Sequence, residues 1–163
     1  MYSLHCTKKL LDRIKPSIAF SLPAHTTALG NWYATALFWK PQLALFVNER
    51  TLLPVLMPFA PASTLVARFP NGLAAVLSMY GASGTFIGRE VAAMTDVTLA
   101  KTANRSVVGI MNEFSFLAEG YRGYLETSDL MTLTMRLADT PCGPIEYNSP
   151  ARLIEKIVGD AVR

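Results

Sequence analysis

Three long stretches of this chain carry no charged side chain: residues 16–39, 51–67 and 69–88. Stretches so poor in charge belong inside a protein core, against a partner, or in a membrane. A membrane-spanning helix needs roughly 20 consecutive apolar residues. All three stretches are interrupted before that length, the first by Pro23, His25 and Gly30-Asn31, the second by Pro54, Pro58 and Pro61, the third by Pro70-Asn71-Gly72. They therefore read as core, plus an apolar patch covered by a partner, most simply a second copy in a homodimer.

The rest of the composition fits that reading. Charged residues make up 17% of the 163 residues, against about 25% in an ordinary soluble domain. A chain of this length buries roughly 70% of its unfolded surface, enough to fold without a metal or disulfide. Cys6 and Cys142 make no zinc motif, and nothing implies a cofactor. Lys8 and Lys9 follow too closely on Met1 for a secretory leader, so the expectation is a reduced, cytoplasmic protein with no membrane partner.

Local patterning predicts one α+β domain over residues 1–163, with a small antiparallel sheet packed against several helices. A motif-bearing part covers about 4–121 and a C-terminal helical extension about 128–163. Tyr2–Cys6 reads as a strand, and Thr7 as the cap of a helix over 8–15 that Pro16 ends. Residues 32–39 and 43–48 read as strands. Thr51–Met57 is a third strand or a short helix start, and its prolines argue against a central strand. Residues 61–79 read as a helix broken or kinked at Phe69–Gly72, 85–94 as a further helix, and 96–101 as a strand. Asn104 or Ser106 opens a helix to about Tyr121. Ser128-Asp129 caps a helix over 130–138, and Ser149-Pro150 starts the last one.

The polar segment from Lys101 to Ser106 is the leading candidate site. It joins a strand to a helix, and the first amides of a helix have no partner within it and carry the positive end of its dipole. Lys101 and Arg105 add charge, while Thr102, Asn104 and Ser106 add hydrogen-bonding groups. Such a cluster suits a phosphate or carboxylate. Gly109 and Asn112 follow Arg105 on one helix face. A structural reading fits the same residues: Asn104 as a cap, Arg105 paired with an acid, Gly109 for helix packing. The segment is not a P-loop, because it lacks the glycines and the Gly-Lys-Ser/Thr ending. Positive charge is concentrated near the N-terminus, where residues 1–50 hold six Lys/Arg against two Asp/Glu.

Four motifs occur in order: Cys6–Leu11 (CTKKLL), Leu29–Ala34 (LGNWYA), Leu45–Leu52 (LFVNERTL) and Lys101–Asn112 (KTANRSVVGIMN). Together they resemble a family of small bacterial proteins that is a domain of unknown function. The resemblance covers about Leu4 to Leu117. It implies no reaction, and it adds Thr7, Lys8, Lys9, Trp32 and Asn48 to the candidate positions beside Lys101, Thr102, Asn104, Arg105, Ser106 and Asn112. Three functions follow as expectations. One is a binding module for a nucleotide or nucleic acid. Another is a metal-independent, RNase-like or toxin-type hydrolase using His5 or Glu49 as proton carrier. The last is an oligomeric interaction protein whose polar motif is structural.

Overall fold

The computed structural model describes residues 1–125 and 129–161. Five strands are present: β1 (Tyr2–Cys6), β2 (Trp32–Leu37), β3 (Leu43–Asn48), β4 (Pro54–Pro58) and β5 (Val97–Lys101). Six α-helices accompany them: α1 (Lys8–Ile14), α2 (Leu65–Met79), α3 (Gly84–Ala93), α4 (Arg105–Tyr124), α5 (Leu130–Ala138) and α6 (Pro150–Asp160). The strands form one sheet in the order β4-β3-β2-β1-β5.

The sheet is mixed, which corrects the antiparallel expectation. β2, β3 and β4 do form an antiparallel meander. β1, however, runs parallel to both β2 and β5. A parallel neighbour needs a crossover of a dozen or more residues. α1 and the irregular segment after it supply one between β1 and β2, and residues 102–104 then lead β5 directly into α4. Strand periodicity reports which residues face which side, and carries no information about direction.

Each face of the sheet has its own core. Tyr2, Leu4, Cys6, Trp32, Ala34 and Phe46 face α1, α2, α3 and α6. Tyr33, Leu43, Leu45, Val47 and Leu56 face α4 and α5. Every residue of β1, β2 and β3 is buried, as expected of strands covered on both sides. That double coverage accounts for the uncharged β2 within the first of the three stretches, whereas residues 20–26 of the same stretch are exposed. No described helix is long and apolar enough to cross a membrane.

The residues flagged by their prolines sit at an edge. β4 is the outermost strand, begins and ends in proline, and so leaves the meander's ladder intact. Its Leu56 amide donates to the Thr134 hydroxyl of α5 at 3.2 Å, which covers that edge. On the far edge, the Ala19 amide donates to the Leu99 carbonyl of β5 at 2.9 Å.

Three local expectations are corrected. α2 runs unbroken through Pro70 after a short 3-10 turn over Ala62–Thr64. Phe69, Leu73, Val76 and Leu77 are buried on the sheet on both sides of the proline, so packing holds the helix together where Pro70 removes a backbone hydrogen bond. Thr7 precedes α1 without capping it, because its hydroxyl is 2.8 Å from that of Thr35 instead. α4 extends to Tyr124, past Tyr121. Asp129 caps α5 through Thr132, whereas Ser128 lies outside the described residues.

Candidate functional site

β1 and β5 are neighbours that run parallel and end side by side, with Cys6 opposite Lys101. The helices that follow them leave in opposite directions. α1 packs on one core through Leu10, and α4 packs on the other through Val107, Ile110, Met111, Phe114 and Ala118. A crevice opens at the carboxyl ends of two such strands, and this is the usual position of a ligand on an open sheet.

Here the crevice is a groove of about 430 Å³ lined by Cys6, Lys8, Leu11, Asp12, Ile18, Lys101 and Thr102. The two lysines supply positive charge, and Leu11 and Ile18 supply apolar wall. Lys8 Nζ is 3.7 Å from Asp12 Oδ2 and both side chains are well exposed, so the pair is readily exchanged for another partner. Burial pushes the Cys6 thiol up to about 12. Cys6 therefore presents a neutral thiol and offers no thiolate nucleophile.

The turn between β5 and α4 is held from beneath by two residues that face the other core. His5 Nδ1 lies 2.9 Å from the Lys101 carbonyl; since a carbonyl only accepts, Nδ1 is the donor. Tyr33 stacks on His5 with ring centroids 4.6 Å apart. Its hydroxyl accepts the Asn104 amide at 2.9 Å. Burial pushes the Tyr33 phenol up, and the Asn104 amide pulls part of that rise back. The Asn104 side chain in turn accepts the Ser106 and Val107 amides at 2.9 and 3.3 Å. Three amides at the start of α4, those of Asn104, Ser106 and Val107, are thus satisfied by protein atoms. The capping role of Asn104 is present, and the cationic side chains remain the groups with most to offer an anion.

Tyr33→Phe should therefore loosen this turn. It strands the Asn104 amide, at a cost of about 1–2 kcal/mol. Hydrogen exchange across residues 101–108 should quicken and the melting temperature should fall by a few degrees. Unchanged exchange there would mean that the hydroxyl does not hold the turn.

The family model described as a domain of unknown function, DUF6933, matches residues 3–153. The chain belongs to this family. No curated protein and no solved structure matches it. The family match begins in β1 and ends within α6, so it takes in the C-terminal helices that local patterning set apart as an extension.

The candidate positions do not converge on one pocket. Lys8, Lys101 and Thr102 line the groove together. Asn104, Arg105 and Ser106 are exposed at the start of α4. Lys9 points elsewhere, with Nζ 6.0 Å from the centre of the Phe38 ring. Trp32 is wholly buried and packs edge-on against Phe69 at 4.9 Å. Asn48 is also wholly buried. It pairs with Trp32 at the end of β2 away from the groove, and it ties the turn after β3 to the loop at Leu29–Asn31 through its own hydrogen bonds.

Gly109 and Asn112 lie on the exposed side of α4. Among the described residues, a Cβ added at Gly109, Gly120 or Gly123 would meet nothing within 4 Å, so no packing seen there calls for these glycines. Each costs about 1 kcal/mol of helix stability relative to alanine.

Sequence reasoning weighed His5 as a proton carrier, and missed the support that His5 and Tyr33 give the turn. The signal was the strand register: His5 and Tyr33 are direct partners in the β1–β2 pair, which becomes visible only once that pair is known to be parallel. Among the described residues, no cluster of His, Cys, Asp or Glu could hold a metal ion.

Proposed function

We propose that the chain is a binding domain for a small phosphate-bearing molecule of nucleotide size, held in the groove at the carboxyl ends of β1 and β5. The observation that carries this reading is the convergence of Lys8, Lys101 and Thr102 at a point where the chain leaves the sheet in opposite directions. Lys8 and Lys101 would take the phosphate as charge-assisted hydrogen bonds. Leu11 and Ile18 would lie against the apolar part of the ligand. A volume of about 430 Å³ is within the usual range of small-molecule sites. The neutral thiol of Cys6 and the burial of His5 on the opposite face of the sheet favour binding over the hydrolase reading.

Calorimetry against a panel of nucleoside mono-, di- and triphosphates tests the reading. Lys8→Ala and Lys101→Ala should each weaken binding about 10–100-fold, the worth of a charge-assisted contact. Their melting temperatures should stay near that of the parent, because both side chains are exposed. No binding across the panel, or binding unaffected by either substitution, would remove the groove as the site. Turnover of RNA or nucleotide in EDTA that disappears in Lys101→Ala would favour the hydrolase.

A further inference from the structure

The Lys101–Asn112 motif is only partly used by the groove. Arg105, Gly109 and Asn112 belong to a different surface, the outermost face of α4. They continue into Phe116, Glu119 and Gly123, with spacings that alternate between four and three residues. At 3.6 residues per turn all six fall within roughly 80° of arc, opposite the face that packs on the sheet. This is the seam spacing by which one helix meets another along its length. All six are exposed, and Phe116 is 78% exposed. Gly109 and Gly123 lower the seam and, with Gly120 at its margin, open it to close approach, although among the described residues nothing would meet a Cβ there within 4 Å.

The charges on the seam select the occupant. Arg105 stands at one end and Glu119 near the other. A second copy lying parallel would set Arg105 against Arg105, Glu119 against Glu119 and Phe116 against Phe116. A second copy lying antiparallel about a two-fold axis would bring Arg105 alongside Glu119 at both ends. It would also seat each Phe116 ring over the turn formed by Gly109 and Asn112. A two-fold axis makes every such contact twice.

We propose that two copies of this chain pair antiparallel through α4, with Phe116 of each seated at Gly109 of the other and Arg105 beside Glu119. In this register the two helices overlap over Arg105–Glu119, about 21 Å, short for an interface, so association falls in the weak, micromolar range. The pairing accounts for Arg105, Gly109 and Asn112, the residues of the motif that face away from both the groove and the core. It is independent of the ligand reading, since no groove residue takes part.

Sedimentation velocity of the full chain over a concentration series tests it. The parent should sediment as a dimer at high micromolar concentration and dissociate on dilution. Phe116→Glu should be a monomer throughout, with an unchanged circular dichroism spectrum because the side chain is solvent-exposed. Arg105→Glu should raise the dimer dissociation constant at least tenfold, and adding Glu119→Arg should return it to within a few-fold of the parent. A parent that stays monomeric, or a dimer that persists in Phe116→Glu, would overturn the proposal. Failure of the charge swap to restore the dimer would overturn the antiparallel register.

Discussion

Truncating Phe69 to alanine should lower the melting temperature by about 10–15 °C, the largest loss expected from a single side chain. Phe69 is fully buried at the centre of the first core. Its ring lies nearly parallel to Phe46 at 4.1 Å, edge-on to Trp32 at 4.9 Å, and tilted against Tyr2 at 6.3 Å. It thereby joins α2 to three adjacent strands, β1, β2 and β3. A buried Phe→Ala change costs about 3–5 kcal/mol, and in a domain of this size each kcal/mol moves the melting temperature by about 2–4 °C. The neighbouring residue adds a second effect. Pro70 lacks the amide that would bond back along α2, and an interior proline costs a helix about 3 kcal/mol. With the Phe69 anchor gone, the turn over 65–69 loses a main contact that holds it on the sheet. Hydrogen exchange in α2 should therefore rise more before Pro70 than after it. A loss below about 4 °C, roughly 1–2 kcal/mol, would mean that the core closes around the vacancy and that Phe69 is not its keystone.

Asn48→Ala should be nearly as damaging, by a different route. The side chain is wholly buried. Its amide donates to the carbonyls of Leu29 and Asn31 at 2.9 and 3.3 Å. Its oxygen accepts the Arg50 and Thr51 amides at 3.0 and 2.9 Å and the Thr51 hydroxyl at 3.1 Å. Removing it strands several polar groups at about 1–3 kcal/mol each, for a total of about 3–5 kcal/mol after partial relaxation. The same turn holds Leu52 at φ 60°, a conformation that costs a side chain like leucine about 1–2 kcal/mol. Without Asn48 the turn has reason to relax, and Gly30, at φ 82° on the other side of the contact, loses its neighbour's support. Thermal melting should show a drop of about 10 °C. Asn48→Asp separates the two halves of the role: it keeps the acceptor and loses the donor. If Asn48→Ala melts within about 3 °C of the parent, about 1 kcal/mol, the network is dispensable and the residue's place in the family motif needs another cause.

Much of this fold is legible in the chain. Caps are local, so Asn104, Asp129 and Ser149 mark the starts of α4, α5 and α6 where their side chains accept the amides two or three residues on. Pro54 and Pro58 argued against a central strand while leaving a strand or a short helix start open, and the stretch is the edge strand β4. The missing charge over residues 32–37 has its cause in a strand, β2, covered on both faces.

The candidate site was legible in part. Lys101–Ser106 could be read as a polar strand-turn-helix because sequence neighbours build it. That Lys8 shares a groove with Lys101, while Lys9, one residue on, reaches toward Phe38, depends on the direction of a helix that periodicity leaves unplaced. Trp32 and Asn48 stood beside the site in the order of motifs, and the sheet carried both into the interior.

The sequence by itself determined where several helices start, which faces of the elements are apolar, and that one turn concentrates polar and cationic groups. Those properties arise from residues within a few positions of each other. Only the tertiary structure decided that β1 lies parallel between β2 and β5. That arrangement brings His5 and Tyr33 under the turn and opens the groove above it. Strand direction is settled by long crossover connections and by which packing buries the most apolar surface, and no short window of residues carries that information.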